Sequence, residues 1–233
     1  MTTSRRRRNQ WPLSGVLFAA LFIVGNVLGG ALASGTLHLP GAPAPEIARY
    51  YDDSQTVVLV LSLFQVLSAV SLFVFVAPVA AFVRRLAGEK STLIGLTPGG
   101  GALAALFLLV SALLGWVLAL SAAGLGLELV GALRDLNFLC GGTLDVASLG
   151  LFMGATSIAA LRAKALSCWI AWLGIMASAL SVLSLASLVW FPASVLIPLG
   201  RLLAFVWSIA VGSVLALGKR RETGAGVDYL VLP

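Results

Sequence analysis

Four polar side chains embedded in long apolar segments are the residues of this sequence whose types could do chemistry. Arg201 and Asp145 carry charges inside such segments, and Asn26 and Gln65 lie near the middle of two others. Burying polar groups in an apolar medium costs free energy, so they mark either structural pairs or functional sites. These residues form the candidate intramembrane polar cluster.

Arg201 and Asp145 carry opposite charges at similar depth. Arg201 lies 18 positions before Lys219, and Asp145 lies 17 positions before Arg162. At the rise of an α-helix, these separations correspond to about 27 Å and about 25 Å from the same basic boundary. The spacing predicts an ion pair that joins two membrane helices. A ligand-binding or proton-relay role is the alternative.

Four further polar residues could also contribute to contacts between helices. Arg134 and Asp135 could extend the predicted ion pair. Asn26 and Gln65 could each hydrogen-bond a neighbouring helix, which contributes about 0.6 kcal/mol on average. The alternative is that they line a substrate path.

Residues that bind metals or act as nucleophiles are scarce. His38 is the single histidine, and no HExxH or paired-histidine spacing accompanies it. Cys140 and Cys168 fall at opposite ends of one apolar segment, too far apart for a disulfide, whose Cα atoms lie within about 7 Å. The sequence therefore predicts no metal, no cofactor and no catalytic site. Coordination of a metal by His38 and nearby acidic residues is the alternative for that loop.

The glycines predict helix packing. The segment Thr97 to Gly101 lacks the lysine of a phosphate-binding loop and is expected to form a flexible entry to the next helix. The pairs Gly25 with Gly29 and Gly150 with Gly154 match the small-residue motif of membrane helix contacts. Packing within the chain is the favoured reading, and a dimer interface is the alternative.

The elements that must position these residues are membrane spans. The chain has 233 residues, of which 60% are hydrophobic and 10% are charged; soluble domains carry about 25% charged residues. Several uncharged stretches reach the roughly 20 residues needed to cross a bilayer. The predicted spans are Trp11–Ala33, Gln55–Val83, Gly101–Gly124, Gly142–Leu161, Cys168–Trp190 and Val195–Leu217.

The distribution of basic residues predicts the orientation. With six spans, twelve of the 15 lysines and arginines fall on one side. Positive loops remain in the cytoplasm, so both termini are expected there. The net charge of +6 is explained by these span ends, and no basic patch interleaved with aromatic residues indicates nucleic acid. The exceptions, on the outer side, are Arg49, Arg134 and Arg201.

The chain divides into a basic cytoplasmic segment, 1–10, a six-helix membrane domain, 11–217, and a cytoplasmic tail, 218–233. The four arginines before the first span and the small residues Ala31-Leu32-Ala33 also resemble a signal peptide. The apolar run is longer than the 7–15 residues of a signal core. We therefore expect the first span to be retained, with cleavage after residue 33 as the alternative.

Two outer loops are long enough to contain structure. Proline favours the first helical turn, so a short interfacial helix is predicted near Pro45, with Tyr50 and Tyr51 in the headgroup region. The loop 125–141 alternates apolar and polar residues and is expected to lie along the membrane surface as an amphipathic segment.

Three short motifs give the chain a family resemblance. They are PEIARYY at Pro45–Tyr51, RDL at Arg134–Leu136 and ALSCWIAWLG at Ala165–Gly174. In this order, the chain resembles uncharacterised six-span membrane proteins of actinobacteria, of the domain-of-unknown-function type. The resemblance implies a six-helix fold in a bacterial plasma membrane. It implies no activity and no catalytic residues.

The sequence as a whole predicts an all-α, multi-pass plasma-membrane protein that is not an enzyme. Its expected partners are the lipid bilayer and another membrane protein. The alternative is a small secondary transporter or channel-like protein, whose path would be lined by Asn26, Gln65, Asp145 and Arg201. A transporter should place these groups around one cavity beside broken helices. A scaffold should pair them and fill the bundle.

Overall fold

The computed structural model describes residues 10–35 and 39–221, with side chains to residue 217, and within these residues the chain is helical without strands. Six helices are long and apolar enough to cross a membrane, which confirms the predicted fold class. The segments 1–9 and 222–233, predicted as cytoplasmic, lie outside the described residues. The candidate spans are Trp11–Leu32, Gln55–Leu86, Leu93–Gly124, Leu127–Arg162, Cys168–Leu188 and Phe191–Leu217.

Eight α-helices make up the described chain. They are α1 (Ser14–Leu32), α2 (Ala44–Asp53), α3 (Gln55–Leu86), α4 (Leu93–Ser121), α5 (Leu127–Phe138), α6 (Asp145–Arg162), α7 (Cys168–Leu183) and α8 (Leu196–Arg221). A π-helix, Leu139–Leu144, joins α5 directly to α6. Short 3-10 helices begin the first span and connect α7 to α8.

The fourth span forms the centre of the bundle. Helix α6 packs against α3, α4, α7 and α8, while α1 closes the ring between α3 and α8. In its apolar window, 78% of the residues are buried, against 33–44% for the other five spans. The charged residue Asp145 is therefore carried on the one span that its neighbours shield from lipid.

Small residues allow the close approach of α6 and α7. A Cβ atom at Gly150 would lie 2.9 Å from Cβ of Ser181, and one at Gly154 would lie 3.1 Å from Cβ of Ser178. Such a distance leaves no room for a side chain, so the glycines are needed where the two backbones meet. This confirms that the Gly150–Gly154 motif packs within the chain.

The first glycine motif is also used internally. A Cβ atom at Gly25 would lie 2.7 Å from Cβ of Phe64, and one at Gly29 would lie 3.3 Å from Leu61. Both contacts join α1 to α3. The prediction of internal packing is therefore confirmed for this motif too.

The segment Thr97 to Gly101 is not a flexible entry. It lies inside α4, which begins at Leu93, eight residues before the predicted start. A Cβ atom at Gly100 would lie 2.7 Å from the backbone nitrogen of Phe152. The glycines let α4 approach the backbone of α6, and this packing keeps the segment helical despite its glycine content.

Aromatic rings fill the middle of the bundle. Phe75 of α3, Phe152 of α6 and Trp207 of α8 are completely buried. Phe152 makes edge-to-face contacts with both of the others, with ring centroids 6.0 Å and 5.6 Å apart. Such pairs contribute about 0.5–1.5 kcal/mol beyond their burial. The centre of the bundle is thus a packed core.

Three candidate spans are longer than a membrane requires. Gln55–Leu86 and Leu93–Gly124 have 32 residues each, and Leu127–Arg162 has 36. At about 1.5 Å per residue, α3 alone exceeds the roughly 30 Å of bilayer hydrocarbon by about 18 Å. The extra turns of α3 and α4 pack with α2 and α5 around a second apolar core. We call this unit the cap; its core residues are Ile47, Tyr50, Tyr51, Val58, Leu118, Ala119, Ala122 and Val130.

The cap confirms one prediction and corrects another. The short helix near Pro45 exists as α2, with proline in its first turn. However, Tyr50 and Tyr51 do not face lipid headgroups, because the two residues are only 8% and 2% exposed. The two rings pack edge to face, 5.5 Å apart, inside the core of the cap. Packing against α5 withdraws them from the surface.

The loop 125–141 also differs from its prediction. Most of it forms α5, which continues without a break through the π-helix into α6. It packs on α2 and α4 and buries Val130 and Arg134. The fourth span was therefore predicted to begin 15 residues too late, because the polar residues of α5 interrupt the apolar run while the helix itself continues.

The tryptophans mark the two ends of the bundle. Trp11, Trp169 and Trp172 are exposed at the end that carries the basic loops, here called the basic end. Trp116 and Trp190 are exposed near the end that carries the cap, here called the cap end. Tryptophan is enriched at both membrane interfaces. The arrangement is typical of a protein that crosses a bilayer between these two levels.

Candidate functional site

Arg201 and Asp145 form the ion pair that their depth predicted. The Nη2 atom of Arg201 on α8 donates to Oδ2 of Asp145 at the start of α6. The Asp145 side chain is 1% exposed and that of Arg201 is 13% exposed. A buried charge is tolerated only when it is paired, so this contact joins the two helices.

The π-helix brings a backbone acceptor to the same arginine. Arg201 Nη2 also donates to the carbonyl oxygen of Gly141, four residues before Asp145. A π-helix shifts its hydrogen bonds from i→i+4 to i→i+5, and such segments occur often at functional sites. Arg201 therefore bonds both to the π-helix, at Gly141, and to the first residue of α6, Asp145.

Phe22 of α1 completes the surroundings of the guanidinium group. The Cζ atom of Arg201 lies 4.6 Å from the centre of the Phe22 ring. A cation over an aromatic face is stabilised by about 0.5–2 kcal/mol, more when water is excluded. The site thus includes α1, α6, α8 and the π-helix.

Two atoms of the ion pair have no hydrogen-bond partner. They are Oδ1 of Asp145 and Nε of Arg201, and both are buried. An unsatisfied buried polar atom costs about 1–3 kcal/mol. The cost of these two unsatisfied atoms therefore falls on the Arg201–Asp145 site, beside the irregular π-helix.

Asn26 and Gln65 do not join the ion pair. Asn26 is exposed, and its Nδ2 atom donates to the carbonyl oxygen of Phe22, one turn earlier on the same helix, at 2.9 Å. The prediction that it bonds to a neighbouring helix is wrong, because its side chain lies on the outer surface of α1. Gln65 is half-buried on α3. The structure thus brings two of the four predicted residues together.

Arg134 belongs to a separate cluster in the cap. It is 3% exposed, its Nη1 atom donates to Oδ1 of Asn137 at 3.1 Å, and its Cζ atom lies 6.0 Å from the Phe138 ring centre. The prediction that Arg134 extends the Arg201–Asp145 contact is not supported by a direct bond. Arg201 therefore makes its contacts in the bundle, whereas Arg134 makes its contacts in the cap.

Burial and Arg134 act in opposite directions on the tyrosines. Removal from water raises the pKa of the Tyr51 phenol to about 12 from its ordinary 10.0, although the Arg134 cation partly lowers it. Burial likewise raises the pKa of Tyr50, again against the effect of Arg134. Both phenols are therefore neutral at physiological pH and can pack in the core of the cap.

Asn137 and Ser111 connect the cap to the bundle, a role that the sequence analysis did not identify. Asn137 Nδ2 donates to the Ser111 carbonyl oxygen at 2.6 Å, and Ser111 Oγ donates to the Asn137 carbonyl oxygen at 3.1 Å. These reciprocal bonds fasten α5 to α4 just above Gly141. The signal available in the sequence was Asn137 followed four residues later by the glycine pair Gly141-Gly142, which favours an irregular helix.

Other candidate chemistry is not assembled by the fold. Cys140 and Cys168 are free, as their separation predicted. His38 lies outside the described residues. Among the residues that the structure describes, no three histidine, cysteine or acidic side chains are grouped to hold a metal. The Arg201–Asp145 site is thus the main concentration of buried charge in the membrane bundle.

No protein-family model matches the chain. No curated protein and no solved structure shows significant similarity to it. What the chain is follows from its own geometry: six helices able to cross a membrane, a packed core, a cap and the buried Arg201–Asp145 ion pair.

Proposed function

We propose that the chain is a bacterial plasma-membrane protein without catalytic activity, which acts through contacts with lipid or with another membrane protein. Both termini lie in the cytoplasm, so the cap faces outward. The main support is that the polar groups of the spans do not converge on one path. Arg201 and Asp145 bind each other, Asn26 faces outward, and most of the central helix is buried.

The orientation is tested by labelling single cysteines. Cys140 and Cys168 are replaced by serine, and cysteine is introduced as Gly88→Cys or Pro43→Cys. A membrane-impermeant maleimide should label position 43 in intact cells and position 88 only after the inner face is opened. Labelling of both positions from the same side would reject the six-span topology.

Retention of the first span is tested by intact mass. Helix α1 packs along α3 through Gly25 and Gly29, which supports a permanent role in the bundle. The protein purified from its native membrane should keep this segment. A mass that lacks about 33 residues would correspond to cleavage after Ala33.

The mode of action is tested by two experiments: identification of bound proteins and lipids, and measurement of ion flux. The protein is purified from native membrane and its bound proteins and lipids are identified by mass spectrometry. The proposal predicts a retained partner that is lost from a variant with an altered cap or lipid surface. In liposomes, it predicts no flux of protons or small ions above the empty-vesicle rate.

One observation favours a second candidate, a small transporter or channel-like protein. The π-helix breaks the regular hydrogen bonding of the central helix beside the Arg201–Asp145 pair. Irregular helices beside buried charges are a feature of transporter sites. Flux in liposomes that disappears in Asp145→Asn would favour this candidate over a contact protein.

A further inference from the structure

The π-helix between α5 and α6 shifts one backbone hydrogen bond away from Gly141. The backbone N–H of Asp145 donates to the carbonyl oxygens of Cys140 and Gly142. In an α-helix it would donate to the oxygen of Gly141, four residues earlier. The bond to Cys140 spans five residues, which is the spacing of a π-helix. The Gly141 oxygen is thus released from its ordinary partner, and Arg201 Nη2 donates to it instead.

The register of this hydrogen bonding sets the face that α5 turns towards the cap. An α-helix turns by about 100° per residue, since 3.6 residues complete a turn. The π-helix accommodates one additional residue, so its return to an α-helix would rotate α5 by about 100° relative to α6. Val130 and Arg134 are buried where α5 packs on α2 and α4. The rotation would withdraw both residues from this contact.

Asn137 holds the π register on the cap side. Its Nδ2 atom donates to the Ser111 carbonyl oxygen at 2.6 Å, and its Oδ1 atom accepts from Arg134 Nη1 at 3.1 Å. Gly141 faces the same serine, because a Cβ atom built on it would lie 2.7 Å from the Ser111 Cβ atom. These contacts with α4 depend on the present rotation of α5.

Arg201 holds the π register on the bundle side. Its Nη2 atom donates both to the Gly141 oxygen and to Asp145 Oδ2, on the two sides of the shifted hydrogen bond. Return of the Asp145 N–H to Gly141 would place that oxygen in the regular helical ladder, and Arg201 would lose one of its two acceptors. A buried cation requires its partners. Arg201 therefore favours the π register over the α register.

The two helices that meet at the π-helix differ in how firmly they are held. Helix α6 packs on α3, α4, α7 and α8, whereas α5 packs on α2 and α4. A change of register is therefore taken up by α5. Because a helical register changes by whole residues, the change is a step between two arrangements, as is usual for packed elements that switch.

We propose that the π-helix couples the state of the Arg201–Asp145 pair to the packing of the cap. With the pair formed, the π register is held and α5 stays packed on α2. With the pair broken, the Asp145 N–H returns to Gly141 and α5 rotates out of the core of the cap. This inference goes beyond the proposed function, because the coupling acts in the same way in a contact protein and in a transporter.

A disulfide between α2 and α5 reads this rotation directly. A Cβ atom built on Gly131 would lie 4.0 Å from the Ala44 Cβ atom, within the range of about 3.5–4.5 Å that a disulfide requires. Cys140 and Cys168 are replaced by alanine, and Ala44→Cys and Gly131→Cys are introduced into the full chain. On mild oxidation in membranes the two thiols should pair, and maleimide labelling with intact mass counts the thiols that remain.

The pair is removed by combining Arg201→Leu with Asp145→Leu, which leaves no single charge buried. The rate of disulfide formation should fall about tenfold, within the range of typical couplings between two sites. Met153→Ala is the matched control, because Met153 is also completely buried on α6 and its loss leaves the pair intact. It should lower thermal stability and leave the disulfide rate unchanged.

Deletion of Gly142 provides a rescue that is specific to the register. It removes the additional residue, so α5 and α6 become one α-helix while α5 keeps its present rotation. In the background that lacks Arg201 and Asp145, this deletion should restore the disulfide rate. A pair that only stabilises the bundle would gain nothing from a shorter helix, so failure of the rescue would reject the register as the link.

Reciprocity gives a second measurement that does not require the disulfide. Coupling between two sites acts equally in both directions. Asn137→Leu should therefore reduce the interaction free energy of Arg201 with Asp145, measured by a double-mutant cycle of thermal unfolding. An unchanged disulfide rate without the pair would overturn the proposal, as would an equal fall in Met153→Ala. If the variant without the pair does not fold, an interaction free energy unaffected by Asn137→Leu overturns it.

Discussion

The cap and the membrane bundle are stabilised by different kinds of core. The cap buries aliphatic side chains and two tyrosines between short amphipathic helices, as a water-soluble domain does. The bundle buries small residues and aromatic rings between helices whose outer faces are equally apolar. In lipid, apolar burial supplies little driving force, so close packing and polar pairs must hold the helices together. One chain therefore contains both kinds of core, and the cap meets the bundle at Asn137 and Gly141.

The largest expected effect concerns the ion pair of the bundle. Arg201→Leu and Asp145→Leu should each destabilise the protein by roughly 3–5 kcal/mol, because each leaves a buried charge without its partner. The double variant should recover much of this loss. Thermal unfolding in detergent measures all three. Additive losses would show that the two residues act independently.

The same Leu→Ala substitution should cost different amounts of stability in the two cores. Leu108 in the bundle and Leu118 in the cap both belong to α4, and both are completely buried. Leu118→Ala should cost about 2–5 kcal/mol, since it loses burial from water and leaves a cavity. Leu108→Ala should cost less, because its unfolded reference remains in lipid.

Chemical unfolding in lipid bicelles provides the measurement for this pair of leucines. Leu103→Ala is the control on the same helix, because Leu103 is exposed, and it should change stability little. Equal losses for the two buried leucines would contradict the distinction between the cores.

The cap should also respond to alkaline pH while the bundle should not. Burial raises the pKa of Tyr51 to about 12, and that of Tyr50 is raised in the same direction. A raised folded-state pKa means that the stabilisation is fully present below the ordinary value of 10.0 and is lost as pH rises towards 12.

Phenolate absorbance of a Tyr229→Phe background follows these two tyrosines alone. Hydrogen exchange of the α2 and α6 amides reports the two regions separately. The α2 amides should lose protection over this range before those of α6. Ionisation of both phenols near pH 10 would show that the core of the cap is hydrated.

The smallest expected effect compares two glycines of α1. Gly25→Ala should destabilise by about 1–3 kcal/mol, because its methyl group would clash with Phe64. Gly30→Ala should be neutral or stabilising by up to about 1 kcal/mol, since alanine favours a helix and the space is open. Thermal unfolding of the two variants checks this difference. A destabilised Gly30→Ala would mean that other atoms of the protein occupy the space beside Gly30.

Sequence analysis correctly predicted the features that depend on residue type and position along a single helix. Apolar length gave the six spans, and residue counting gave the common depth of Arg201 and Asp145. It did not predict the cap, because Arg134 and Asp135 interrupt the apolar pattern of α5 and the packing of α5 on α2 is visible only in the structure. It also misjudged Asn26, since a helix that is apolar all round carries no periodicity to show which face meets lipid.

The buried position of α6 has a consequence for how the protein enters the membrane. Its span is the least apolar of the six and carries Asp145, so it is the least able to partition into lipid alone. Its charge partner lies on α8, which is synthesised later. The ion pair of the fourth span can therefore form only after Arg201 has been synthesised. Correct insertion of one helix is thus coupled to the completion of the chain.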